Sequence, residues 1–195
     1  MKLLIVSDTH GDTIEFDKVY ALEKPDFVIH AGDYHNWDPT ETKNTLVNEQ
    51  TFLAKIDKHI LGNHGVLLQT NGHDEFMSLY EKDYEIFTIE GKKFLLTHSY
   101  EILDDSYREH YGEWTDFFNK IRPNREKLVQ ENHIDYVICG HTHIPKIYDE
   151  GKVKIINPGS LTKPKSPKVP RAYIIGTSSH DGFTFKIKKL PISSL

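Results

Sequence analysis

The sequence predicts an α/β fold, an α+β sandwich in which two mixed β-sheets pack face to face with helices outside. Three observations point to it. Short runs of branched apolar residues alternate with helical patterns from Lys2 to Leu61, as the βαβ units of a largely parallel sheet require. The pattern then changes to hairpin signals, which belong to antiparallel pairs. Polar motifs also recur just past the runs that read as strands, where ligands bind in open α/β sheets.

Taken in order, Lys2 to Ser7 reads as a buried strand stopped by Asp8-Thr9-His10-Gly11-Asp12. Asp12 and Thr13 can cap a helix whose apolar residues are Ile14, Phe16, Val19, Tyr20 and Leu22, closed by Pro25. Asp26 to His30 reads as a second strand, Thr42 to Ala54 as a helix and Lys55 to Leu61 as a third strand. Tyr84 to Glu90 and Lys92 to Thr97 flank a Glu90-Gly91 turn. A helix over Asn124 to Asn132 leads into a strand over Tyr136 to Cys139. Two hairpins follow, Pro145 to Tyr148 with Val153 to Ile156, and Arg171 to Thr177 with Phe183 to Leu190.

The 195 residues suit a single domain, 1–195, with an aromatic-rich insertion at about 99–123 holding Tyr100, Tyr107, Tyr111, Trp114, Phe117 and Phe118. That insertion either buries its aromatics on the domain or forms a cap over the site or a dimer surface, so a homo-oligomer is one outcome. A formal charge of -5 provides no basic footprint for nucleic acid, and 37% hydrophobic with 27% charged residues is ordinary for a globular chain. The longest apolar run near the start, Leu3 to Val6, is too short for a signal-peptide core or a membrane span, and a lone Cys139 fits a reducing compartment. The expected location is the cytoplasm, and Cys139 reads as buried filler rather than a nucleophile.

Histidine stands out, with twelve in the chain. Five lie in the motifs Ser7-Asp8-Thr9-His10, Gly32-Asp33, Gly62-Asn63-His64, Thr97-His98 and Gly140-His141-Thr142-His143. Asp8 with His10, and His141 with His143, alternate, so in an extended segment each pair points to one side and can grip a metal. Carboxylate, imidazole and one amide oxygen suit Mn, Fe, Zn, Co or Ni better than Ca or Mg. Asp33, the odd central carboxylate, can bridge two ions roughly 3.5 to 4 Å apart. Any one motif alone could be an ordinary strand-to-helix turn. Of the other histidines, His59, His110, His133 and His180 read as surface or satisfied core residues, whereas His30, His35 and His73 lie near motifs as candidate supporting or substrate contacts. Thr162 to Arg171, rich in lysine and proline, reads as a stiff exposed loop that could meet a substrate phosphate.

The order Asp-x-His, Gly-Asp, Gly-Asn-His, His, Gly-His-x-His resembles the calcineurin-like metallophosphoesterase superfamily, especially its small prokaryotic phosphodiesterases. The resemblance spans Met1 to about Arg171 and includes Asn157-Pro158-Gly159-Ser160. It implies a metallophosphoesterase-like fold and two divalent metal ions, Mn first, with Fe, Zn, Ni or Co as alternatives. By this resemblance Asp8, His10, Asp33 and His143 hold one ion, and Asp33, Asn63, His98 and His141 the other. A bridging hydroxide would then attack phosphorus in line, with Asp33 central and His64 stabilising or protonating the leaving oxygen.

The implied activity is phosphoester hydrolysis, of diesters in the first place, on a small substrate. The alternatives are a nuclease, or a non-catalytic interaction scaffold like the similar retromer subunit. Two departures qualify the match. Gly65 stands where the family usually carries an acid that orients His64, a role Asp57 or Asp74 could assume, and Ser99-Tyr100 replaces the usual Gly-His after His98.

Overall fold

The computed structural model describes residues 1–35, 49–70, 72–103 and 114–191. Among them the strands form two five-stranded sheets. In the first, β1 (Lys2–Val6), β2 (Phe27–His30) and β3 (Lys58–His59) are parallel, and the antiparallel β9 (Ala172–Ser179) and β10 (Gly182–Lys189) extend it in the order β10-β9-β1-β2-β3. In the second, β5 (Lys92–Thr97), β6 (Tyr136–Ile138) and β8 (Val153–Asn157) are parallel, with antiparallel β4 (Tyr84–Ile89) and β7 (Lys146–Glu150) at the edges, in the order β4-β5-β6-β8-β7.

The two-residue side-chain period of β1 shows how the layers assemble. Leu3 and Ile5 point into the core between the sheets, with Ile29, Phe94, Leu96, Ile138, Ile156 and Ile174. Leu4 and Val6 point outward and pack with Phe16 and Val19 of α1 (Thr13–Glu23) and Phe52 of α2 (Glu49–Leu53). On the opposite side Leu95, Val137 and Ile155 pack with Val129 of α5 (Trp114–Asn132). Helix, sheet, sheet and helix therefore stack in that order, the sandwich the sequence predicts. Phe94, fully buried against Phe87 at 5.4 Å, anchors the central layer. Truncating such a core aromatic costs about 3–5 kcal/mol.

Several boundaries differ from expectation for identifiable reasons. The third strand is shorter than Lys55 to Leu61. Lys55 and Ile56 still close the end of α2 through Phe52 and Leu53 carbonyls, and Leu61 turns away to accept from the Asp33 amide. Of the helix expected over Thr42 to Ala54, Glu49–Leu53 is seen, and 42–48 lie outside the described residues. The helix expected from Asn124 begins at Trp114 and runs through Pro123. A proline inside a helix costs about 3 kcal/mol, and tertiary anchors on both sides offset it. Asn119 brackets the Leu103 backbone, Arg122 donates to the Tyr100 carbonyl, and Arg125 donates to Thr97 Oγ1 and the Glu81 carbonyl.

Helices α3 (Gly62–Gln69) and α4 (His73–Glu81) occupy a stretch the sequence leaves unassigned. With α5 they enclose a separate small core of Val66, Phe76, Tyr80, Leu103, Phe118 and Ile121. Phe118 of the aromatic-rich stretch is buried in this core with Phe117 packed against it, while Tyr107 and Tyr111 lie outside the described residues. Among the described residues no helix is long and apolar enough to cross a membrane.

Candidate metal centre

Asp8, His10, Asp33, Asn63, His64, His98, His141 and His143 meet at one end of the sandwich, beyond the carboxyl ends of β1, β2, β5 and β6 and in the first turn of α3. Three sets of donor atoms each lie within 4.8 Å of one another: Asp8, His10 and His143; His10, Asp33 and His64; Asp8, Asp33 and His98. Asn63 Oδ1 and His141 Nδ1, 2.9 Å apart, adjoin them, the His141 ring 5.1 Å from that of His98.

The backbone presents these side chains by a route the alternation argument did not foresee. The pairs are not held in extended segments. Asp8, His10, Asp33, His141 and His143 all have left-handed backbone, with φ of 53°, 45°, 53°, 67° and 56°. Single non-glycine residues in that region cost of order 1–3 kcal/mol and cluster at functional sites. Interlocking bonds over-determine them here. Asp8 N donates to Gly32 O, His10 N to Asp33 O, and Asp33 N to Leu61 O. Ser160 Oγ donates to Asp8 O at 2.7 Å, and His141 N donates to Asp8 Oδ2 at 3.2 Å.

Close approach explains two glycines. A Cβ on Gly62 would lie 2.3 Å from Asp33 N and Oδ1, and one on Gly140 would lie 2.0 Å from Ser7 Oγ and 2.8 Å from Asp8 Oδ2.

Tautomers are set from outside the site. His98 Nδ1 meets the Ala31 carbonyl at 2.6 Å and His143 Nδ1 meets the Lys163 carbonyl, so each ring donates there from Nδ1 and turns its Nε2 inward. The lysine-rich loop thus reaches the site through the Lys163 backbone.

Electrostatics favour a cation. Burial alone would raise both carboxyl groups. Beside Asp8, His143 and His98 outweigh it, and beside Asp33, His98 and His64 do, holding both below the usual carboxylate range. Burial opposes a charge on His98 too, yet Asp33 and Asp8 lift its imidazole to about 9. His10, where burial prevails, falls to about 4, and burial with His98 nearby drives His141 well down.

Asp8 Oδ1 has three imidazole Nε2 atoms around it, His143 at 3.2 Å, His98 at 3.8 Å and His10 at 3.9 Å. It is nonetheless buried without a hydrogen-bond partner, as is His98 Nε2. Buried polar atoms are normally satisfied. A carboxylate oxygen and imidazole nitrogens aimed at one another across such distances fit a divalent cation of the nitrogen- and oxygen-binding class.

His64 N donates to Asp33 Oδ1 at 2.8 Å, and its ring packs edge-on to His10 at 4.7 Å with Nε2 3.8 Å from Asp33 Oδ2. The Asp57 carboxylate accepts from Val28 N at the start of β2. Asp74 lies in the first turn of α4. His35 borders the space beside Gly65, its Nδ1 3.2 Å from where a Cβ would be, and pairs with Glu49 at 3.2 Å. His30 supports the first motif from below, Nε2 3.1 Å from Thr9 Oγ1. The side chain of His73 lies outside the described part. Ser99 meets Tyr80 and Tyr100 lies under Arg122, so the departure after His98 serves the packing of α4 and α5.

Sequence reasoning missed three supports. Asp83 accepts from Leu61 N and Gly62 N at the start of α3, Arg125 grips Thr97 beside His98, and Phe118 packs its ring 4.3 Å from His141. Nothing local marks Asp83, since its partners lie more than twenty positions away.

Comparison with known proteins gives the fold and the family. The chain is 29% identical over 167 residues to a "Probable metallophosphoesterase" of Mycoplasma pneumoniae, covering 86% of this chain and 83% of that protein. Its fold is similar to that of an archaeal protein described as a phosphodiesterase, with TM-score 0.58 and 19% identity over 96% of this chain and 100% of the other. It is also similar to Vps29 complexed with zinc from Entamoeba histolytica, with TM-score 0.56 and 16% identity over 97% and 98%. The family model of the calcineurin-like phosphoesterase superfamily domain matches residues 1–180, and the chain therefore belongs to that superfamily.

Proposed function

We propose that this protein is a metal-dependent phosphodiester hydrolase acting on a small substrate in the cytoplasm. The observation that carries the reading is Asp8 Oδ1, buried without a hydrogen bond among three imidazole nitrogens. Asp8, His10, Asp33 and His143 would hold one cation, and Asp33, Asn63, His98 and His141 a second, with Mn the first choice. Bound there, such ions neutralise charge on the phosphoryl oxygens and lower the pKa of water.

The protein's own groups do the rest. His98 and His143, their Nδ1 atoms tied to carbonyls, keep Nε2 directed inward. His64, its side chain 23% exposed where Asp33 and His98 are almost wholly buried, is the imidazole placed to meet substrate and give a proton to the leaving oxygen. Phe118 packs edge-on against the His141 ring. Preference for a diester rests on the motif order and on the archaeal phosphodiesterase of similar fold. A net charge of -5 offers no basic footprint for nucleic acid, although a metal pair would itself attract phosphates, so a nuclease stays the alternative on the same site.

The test is hydrolysis of bis(p-nitrophenyl) phosphate with added Mn²⁺, with chelator, and by Asp33→Asn. Turnover that needs the metal and disappears in the variant is expected. Undiminished turnover in either chelator or the variant would sink the reading. One feature favours an interaction scaffold instead: Gly65 in place of the acid that orients His64. Absence of bound metal and of turnover across a panel of phosphoesters would favour that alternative.

A further inference from the structure

The turn that presents His141 and His143 has both histidines in left-handed backbone, φ 67° and 56°. Such residues persist only where their surroundings over-determine them. Here a single carboxylate does much of this. Glu101 follows His98 by three positions, and its side chain is 11% exposed. Its Oε2 accepts from Thr142 Oγ1 at 3.1 Å and from Asn157 Nδ2 at 2.6 Å. The same Asn157 amide also faces the Gly140 carbonyl at 2.8 Å and Thr142 Oγ1 at 2.9 Å, while its Oδ1 accepts from Gly159 N at 2.9 Å.

Glu101 therefore grips the residue between the two histidines directly, and the residue before them through Asn157. Its other oxygen faces Lys146 at 3.8 Å, which offsets its charge. A carboxylate this buried is tolerated where its oxygens are bonded, and these bonds go to the turn and its support. Glu101 itself belongs to none of the three donor sets.

We propose that Glu101 is a positioning residue that sets the aim of the His141 and His143 imidazoles and thereby tunes how tightly the site holds a divalent cation. The inference rests on the metal reading above. Thr142 and Asn157 are the means by which it acts, and the effect reaches both halves of the donor cluster, since His143 sits with Asp8 and His10 while His141 sits with Asn63.

The test is equilibrium dialysis of Mn²⁺ against the full-length, metal-stripped protein. Glu101→Ala is expected to raise the dissociation constant about 10- to 100-fold, the usual effect of losing an outer partner of a metal ligand. Glu101→Gln, whose amide oxygen can accept both bonds, should stay within about 3-fold of wild type. Turnover lost in Glu101→Ala should return at high Mn²⁺, which a merely structural defect would not allow. Thr142→Val removes the same hydrogen bond from the other side and should weaken binding likewise, which keeps the test decisive if Glu101→Ala does not fold. Wild-type affinity in a folded Glu101→Ala or in Thr142→Val overturns the proposal, as does a Glu101→Gln no better than Glu101→Ala. Wild-type protein that binds no Mn²⁺ overturns the metal reading and this inference with it.

Discussion

The two sheets contribute different chemistry to the same site. The first supplies both carboxylates, Asp8 after β1 and Asp33 after β2, together with His10, and passes through β3 to Asn63 and His64 on α3. The second supplies imidazoles, His98 after β5 and His141 and His143 after β6. One donor set, His10, Asp33 and His64, lies wholly on the first sheet's side, whereas each set that uses a second-sheet imidazole also needs Asp8 or Asp33. The negative charge that would attract a cation thus resides on one sheet, and the other would complete its shell across the seam. An imidazole that ligates a metal adds a lone pair but no negative charge.

If that division is right, losing a first-sheet carboxylate should cost more than losing a second-sheet imidazole. Asp33 and Asp8 each enter two of the three donor sets and His143 enters one. Asp33→Asn is expected to lower turnover of bis(p-nitrophenyl) phosphate by about 10³-fold or more, several kcal/mol of lost charge stabilisation. His143→Gln should cost an order of magnitude less, about 10²-fold. Metal content measured on both variants follows the same ranking, and equal losses would break the comparison.

His64 sharpens it from another side. His64→Ala should retain bound metal while slowing hydrolysis of a substrate with a poor leaving group by about 10²-fold, as loss of a general acid does. A good leaving group should narrow the gap. Unchanged turnover of the poor substrate would remove His64 from the chemistry.

The seam itself is probed at Gly140, a second-sheet residue pressed against Ser7 and Asp8 of the first. Gly140→Ala should destabilise the protein by about 1–3 kcal/mol through overpacking, read as a lower Tm in calorimetry. A wild-type Tm would mean the two loops can separate freely.

An effect absent at neutral pH and felt only in acid concerns His30, buried behind Thr9 with its imidazole held by burial at about 3. The unfolded chain takes up this proton near pH 6.5 and the folded chain does not, so the unfolded state binds more protons below that pH. Stability of the metal-free protein is therefore complete above about pH 6.5 and falls toward pH 3, by at most about 1.4 kcal/mol per pH unit from this group. Chemical denaturation at several pH values should show a shallower slope in His30→Leu. An identical slope would assign the acid sensitivity elsewhere.

Much of this architecture is legible in the chain because the relevant signals are local. Branched apolar runs such as Leu3 to Val6 and turn pairs such as Glu90-Gly91 specify strands and a hairpin within a few residues. Helix α3 is not legible. Gly62-Asn63-His64-Gly65 reads as a turn, and it becomes helical where Asp83 takes the Leu61 and Gly62 amides and Val66 enters the small core with Phe76 and Tyr80. Helix α5 runs through Pro123 for a similar reason, anchored by Asn119, Arg122 and Arg125 to parts of the chain the sequence does not show as neighbours.

By itself the sequence determined which donors exist, their order, and that they follow strands, since residue type and strand ends are properties of short segments. Only the tertiary structure decided which donors face one another, that they sit on left-handed backbone rather than extended pairs, and that Glu101, Asn157 and Lys163 hold the second sheet's imidazoles in place. His10 and His143 face each other at 3.2 Å across 133 positions of chain. That contact exists because the sheets pack through Ile5, Leu96 and Ile138, and no short segment of sequence encodes the distance.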